Sequence, residues 1–193
     1  MLQYLVLLTI PLAIYGGGSY LRDTIIGRAK PNKVSWLLWS VAPLVATFAE
    51  ISKGVTWAVL PVFMSGFVPL CIFITSLFSK KSYWKLTVFD YLCGFFSVLA
   101  LTMWAVTKDA NLAIIFAIAS DGFAAMPTLK KAWINPETES GMPYITGLIG
   151  ATTSFVAISS WVFPQYAYPI FLVFADSSLI FSIYHSKIFK NGV

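Results

Sequence analysis

The chain has 193 residues, of which 58% are hydrophobic and 11% charged, with a net charge of +5. A soluble domain carries about 25% charged residues, so this composition excludes an ordinary water-soluble fold. It also excludes a nucleic-acid reader, because the lysines and arginines are scattered over several loops and form no basic face with base-reading groups.

The better counting unit is a bilayer span of about 20 apolar residues. Seven such stretches are predicted, at 2–21, 34–51, 56–78, 87–107, 111–129, 143–161 and 168–186, and no connection between them is long enough for a soluble domain. The first lacks a basic leading segment and an Ala-x-Ala-like cleavage site, so it is expected to be a retained helix and not a signal peptide. It holds Pro11 and the run Gly16-Gly17-Gly18. The second opens with Trp36 and Trp39, contains Pro43, and ends at Glu50, with Lys53 three residues on as an expected interfacial partner. The third starts near Pro61 and carries Cys71; the fourth has Asp90 near its start, Cys93, and no proline. The fifth has Asp121 near its middle and Pro127 near its end. The sixth opens at Pro143 and carries Gly147, Gly150, Ala151 and Ser154, small residues that let helix backbones approach closely. The seventh contains Pro169 and Asp176 and ends at His185, an expected interfacial residue.

These elements repeat. Adding 108 to a residue number carries Leu21 to Leu129, Arg22 to Lys130, Trp36 to Tyr144, Ala49 to Ala157, Pro61 to Pro169, Phe63 to Phe171, and Ile72-Phe73 to Ile180-Phe181. Fixed-period self-similarity is the signature of a duplicated architecture. Residues 1–79 form the first three-helix repeat, 80–110 the linker helix with flanking loops, and 111–193 the second repeat with a short tail. A single linker span restores the direction of the second copy, so the expected arrangement is a 3+1+3 parallel repeat with a pseudo-twofold axis along the membrane normal.

Orientation follows the positive-inside rule. Arg22, Arg28, Lys30, Lys33, Lys80, Lys81, Lys85, Lys130, Lys131, Lys187 and Lys190 fall on one side, and only Lys53 and Lys108 on the other. The N-terminus is therefore expected outside and the C-terminus in the cytoplasm. Trp84, Trp133, Trp161, Tyr166 and Tyr168 lie at span ends, as interfacial belts do.

Acids inside a bilayer cost about 2.5–3.5 kcal/mol at a helix centre, so they mark pathways or partners. Asp23, Asp109, Glu137 and Glu139 are read as loop residues facing water, and Asp90 as interfacial. Asp121 and Asp176 are different: both lie near the middle of parallel helices, at an expected similar depth, and their counterparts in the first copy are Ala13 and Val68. They are the candidates for binding a proton or a cationic substrate group, with Ser120, Ser177 and Ser178 as their expected local hydrogen-bond partners. Pro11, Pro43, Pro127 and Pro143 are the candidate hinges, since proline removes a backbone donor and kinks a helix. Trp36, Trp39, Gly147 and Ser154 are candidate path-lining residues. There is no Ser/His/acid arrangement, no glycine-rich phosphate loop and no metal-ligand spacing. The chain is expected not to be an enzyme and to need neither cofactor nor metal.

The stretch Asp121-Gly-Phe-Ala-Ala-Met-Pro127-Thr-Leu-Lys-Lys-Ala-Trp133, followed by Met142-Pro143-Tyr144, resembles the second PQ-loop of the SWEET and PQ-loop (MtN3-like) transporter superfamily. The 3+1+3 layout resembles it over essentially the whole chain. Thr128 stands where that pattern has glutamine, and Ser19 and Ser35 stand at the first-copy places of Pro127 and Pro143. Asp176 is similar in kind to the helix 7 aspartate of the proton-coupled lysosomal amino-acid exporters. The resemblance implies an all-α, polytopic, seven-helix membrane protein that moves a small polar solute by alternating access, with proton coupling through the acids. The KDEL receptor shares this architecture, so the alternative is a ligand-binding or sorting receptor without transport, in which Arg28, Lys30 and Lys33 contact a partner. The lipid bilayer of a prokaryotic inner membrane is the expected surrounding, no nucleic acid is expected as a partner, and homo-oligomerisation stays open.

Overall fold

The computed structural model describes residues 7–52, 59–107, 110–157, 161 and 163–190. Among them are seven α-helices and no strand: α1 (Thr9–Ile26), α2 (Lys33–Ser52), α3 (Val59–Phe78), α4 (Val88–Val106), α5 (Ala110–Ile134), α6 (Met142–Ala157) and α7 (Phe163–Lys190). Short 3₁₀ turns cover Lys80–Ser82 and Pro136–Thr138.

Several helices run past the apolar stretches that announce them. α1 continues through Arg22 to Ile26, and α5 through Lys130 and Lys131 to Ile134. A helix ends where its terminal backbone groups find other partners, which a hydropathy window does not register. At the end of α1 that partner is supplied by Gly27, whose φ of 84° is the left-handed cap geometry open to glycine. The Arg28 and Ala29 N–H groups then both donate to the Asp23 carbonyl, at 2.8 and 3.0 Å. A Cβ at Gly27 would also stand 2.9 Å from the Lys81 Cβ. α2 starts on Asn32, whose side-chain oxygen accepts from the Val34 and Ser35 N–H groups at 3.1 and 3.4 Å. α4 starts on a capping box: Asp90 accepts from the Thr87 N–H at 2.5 Å and from its hydroxyl at 2.6 Å. Asp90 is thus buried and tied also to the Asn32 amide at 2.7 Å.

Packing follows a regular plan. α3 packs on α1 and α2, and α7 packs on α5 and α6. The two groups meet where α1 touches α6 and α2 touches α5, while α4 lies against α5 and α2. Exchanging α1, α2 and α3 for α5, α6 and α7 leaves the contacts among these six helices unchanged. Directions follow from matched residues. α1 and α3 run the same way, since Gly17 faces Val68 and the Ser79 hydroxyl donates to the Thr24 carbonyl. α5 and α7 do too, with Asp121 at Tyr168 and Trp133 at His185. α1 and α6 run oppositely, with Gly16 against Thr146 and Pro143, and Gly150 near Thr9.

The interior is unusually polar. Thr24, Asn32, Ser35, Ser40, Ser76, Ser82, Ser97, Thr128 and Lys131 are all buried, while Phe78, Val88 and Phe174 are 81, 75 and 68% exposed. An aromatic and aliphatic cluster of Tyr20, Trp36, Ile72, Tyr144, Leu179 and Ile183 fills one end of the seam between the two groups. By length and mean hydropathy, one described helical stretch meets the criterion for crossing a membrane on its own: Tyr166–His185, 20 residues with a mean hydropathy of 1.5. Phe63–Phe78 and Val88–Met103 are shorter apolar segments.

The glycines of α1 separate a close contact from an open one. Gly16 is packed against the Pro143 backbone, 3.0 Å from where its Cβ would stand, whereas Gly18 has nothing within 4 Å. Gly16→Leu should therefore push α1 off α6 and lower stability by about 1–3 kcal/mol. Gly18→Ala should be neutral or raise it by up to about 1 kcal/mol through helix propensity. Thermal unfolding of the purified protein checks both; equal effects at the two positions would contradict the packing.

Candidate functional site

Four helices bring side chains together where α1 and α5 finish and α2 and α6 begin. Tyr20 comes from α1, Trp36 and Trp39 from the first two turns of α2, and Tyr144 from the first turn of α6. The Tyr20 and Trp36 rings are 4.6 Å apart between centroids, Trp36 and Trp39 5.3 Å in an edge-on arrangement, and Trp36 and Tyr144 6.4 Å. Trp36 and Tyr144 are repeat partners, and so by the same offset of 108 are Tyr20 and Thr128. The Thr128 hydroxyl donates to the Ser35 hydroxyl at 2.9 Å, joining α5 to α2 beside the rings. Thr128 is thus a buried link between the two groups.

Beneath the rings lies an ion pair. Lys131 and Glu139 form a salt bridge with side chains only 1 and 0% exposed. The Tyr20 hydroxyl donates to the second Glu139 oxygen at 2.7 Å. The Lys131 ammonium also donates to the Lys30 carbonyl, and the Lys30 N–H donates to the Thr138 carbonyl at 2.8 Å. The ammonium sits 5.2 Å from the Trp84 ring centroid. Lys131 lies beyond the apolar stretch that ends near residue 129. Burial lowers its proton affinity below the ordinary lysine value, and the charge of Glu139 opposes that. One expectation is corrected here: Glu139 does not face water, since it and Lys131 neutralise each other in the interior. The buried Trp36 Nε1–H is turned to the Tyr20 hydroxyl, and the buried Tyr144 hydroxyl to the Glu139 carboxylate.

Asp121 and Asp176 do not form a level pair. Asp121 is buried on α5 and accepts from the Tyr168 hydroxyl on α7, with its other oxygen unpartnered. Tyr168 lies eight residues before Asp176, about 12 Å of helical rise. Asp176 instead faces α6, where a Cβ on Gly147 would stand 2.7 Å from its carboxylate oxygen. The absent side chain of Gly147 is what admits the carboxylate between α6 and α7. Ser120 and Ser178 are engaged elsewhere. The Ser97 hydroxyl on α4 bonds to the Ser120 carbonyl at 2.8 Å and meets its hydroxyl at 3.0 Å, and the Ser178 hydroxyl donates to the Phe174 carbonyl at 2.7 Å.

Of the candidate hinges, Pro43 and Pro127 lie inside α2 and α5. Pro11 falls in the first turn of α1 and Pro143 is the second residue of α6, positions where proline removes no helical hydrogen bond. Pro69 and Pro169 are also interior, in α3 and α7. Trp36 is buried and Trp39 half-buried in the seam. The side chains of Glu50 and Ser154, and the residues Lys53 and Asp109, lie outside what is described. Among the described residues no cluster of histidine, cysteine or acid is placed to hold a metal ion. His185 stacks on Trp133 at 4.1 Å and its Nδ1 meets the Ser182 carbonyl at 2.8 Å.

The signal for Glu139 was weak but present: in the second copy it takes the place of Pro31, and Lys131 that of Asp23, so the pair exists in one half only. Compared with family models, curated proteins and solved structures, the chain matches none.

Removing one member of a buried ion pair strands the other charge, at about 3–5 kcal/mol. Lys131→Met should therefore destabilise the protein by that amount. Adding Glu139→Gln should recover most of the loss, because the stranded charge is then gone. A double-mutant cycle on solubilised protein measures the coupling; additive losses would show that the two groups act independently.

Proposed function

We propose that this chain is a multi-pass membrane transporter of the SWEET and PQ-loop kind, moving a small polar solute by alternating access between its two three-helix groups. The observation that carries this reading is the seam. The groups meet through α1–α6 and α2–α5, they line that junction with buried hydroxyls, an ion pair and aromatic rings, and they turn phenylalanine, leucine and isoleucine outward. A water-soluble protein hides its apolar side chains and exposes its charges; a bilayer rewards the reverse. The internally satisfied helices fit the same surrounding, because no water is present there to pair a bare backbone group.

The matched contacts of α1–α3 and α5–α7, and the common direction of the odd-numbered helices, support a parallel 3+1+3 repeat with α4 as the linker. With the N-terminus outside and the C-terminus in the cytoplasm of a prokaryotic inner membrane, the Lys131–Glu139 end is the cytoplasmic one and is shut in this conformation. Pro43 and Pro127, on α2 and α5, one of the two helix pairs that meet across the seam, are the points about which the groups rock. Asp121 and Asp176 lie further from that end, one against Tyr168 and the other against Gly147, and serve as separate proton or cation-binding carboxylates rather than a shared pair.

In proteoliposomes, Asp121→Asn and Asp176→Asn should each abolish the pH dependence of solute uptake while the protein keeps its fold. Unaltered pH dependence in both variants would reject the role. Ligand binding without any flux would favour the receptor alternative.

A further inference from the structure

Glu139 is held the way a bound ligand is held. Its carboxylate is buried in a short connection between α5 and α6, against donors from separate helices. Lys131 of α5 forms the ion pair, and Tyr20 of α1 donates at 2.7 Å. Glu139 is the leading electrostatic neighbour of the Tyr144 hydroxyl of α6. Trp36 of α2 packs its ring 4.6 Å from that of Tyr20. The Tyr144 hydroxyl is itself bonded to the Glu139 carboxylate and the Trp36 Nε1–H is turned to the Tyr20 hydroxyl, and both residues are more than nine-tenths buried. Indole and ammonium groups donate and cannot accept, so the group that fits among Lys131, Tyr20, Tyr144 and the indole is an acceptor, and beside a lysine the favoured acceptor is an anion. The half-buried ring of Trp39, 6.3 Å from Tyr144, gives the pocket an apolar wall suited to an organic body.

We propose that Lys131, Tyr20, Trp36 and Tyr144 form a carboxylate-binding site that Glu139 fills in this conformation, and that a small soluble carboxylate competes for it. The segment bearing Glu139, between Ile134 and Met142, includes only one short 3₁₀ turn, so it can swing away without unfolding a helix. Displacement replaces one carboxylate by another at the same ammonium and hydroxyls, and no charge is left stranded. It also severs Tyr20 of α1 from the α5–α6 connection, one of the ties that close the seam. What that release accomplishes rests on the transporter reading; the binding itself does not.

The test uses the full chain in phosphatidylcholine nanodiscs, with tryptophan emission as the readout and a Trp36→Phe variant to assign the signal. Glu139→Ala should bind acetate and benzoate at least tenfold more tightly than chloride and than the native protein does, and Lys131→Met in that background should abolish the gain. Acetate binding no better than chloride in Glu139→Ala overturns the proposal. If that variant fails to fold, Glu139→Gln serves. Its neutral amide is the weaker competitor, so acetate should act at a lower concentration than in the native protein, and equal concentrations overturn the proposal. Saturation in phosphatidylserine discs with no response to acetate overturns the soluble-carboxylate assignment in favour of a lipid headgroup. A transporter lacking this site would still pass the flux assay and fail here, and a receptor possessing it would do the opposite.

Discussion

The buried pair of Lys131 and Glu139 is the constraint around which one end of this molecule is arranged. Taking either charge out of water carries a penalty of several kcal/mol, and mutual attraction offsets it only when further hydrogen bonds satisfy both groups. Here those bonds come from Tyr20 and from the Lys30 carbonyl, both in the other half of the chain. The halves are thus held together by a polar contact whose members cannot be separated without rehydration or replacement. An apolar contact of equal area would lack this property, since it has no specific partner to exchange.

Close backbone approach provides the complementary constraint. Gly16 lets α1 sit on the start of α6, and Gly147 admits the Asp176 carboxylate between α6 and α7. Proline placement adds a third element. Pro43 and Pro127 interrupt the hydrogen bonding of α2 and α5, which meet across the seam at Ser35 and Thr128. The Gly16 contact and the two interrupted helices therefore fall on the helices that join the two groups.

The helical class and the order of the seven helices could be read from residues alone. Trp36 and Tyr144 were matched by their spacing of 108, and the structure brings them within 6.4 Å. Glu139 was misread, because a charge in a short connection looks solvated whenever its neighbours in sequence are polar, and the burial of Lys131 was not foreseen. Their burial depends on α1 and on the Lys30 segment, about a hundred residues away. The depth of Asp121 relative to Asp176 was also misjudged. It depends on how far α7 begins before its apolar stretch, and that start is decided by packing and not by hydropathy.

What the sequence by itself determined is the period: apolar stretches of helix length, repeated at a fixed offset, with small residues and prolines at set places along each. Those properties are local, since each depends on residue type and on neighbours within a few turns. What only the tertiary structure decided is which polar groups neutralise one another inside. Hydrogen bonds and ion pairs act over a few ångströms of space, and partners such as Tyr20 and Glu139, 119 residues apart, become neighbours only when four helices have converged.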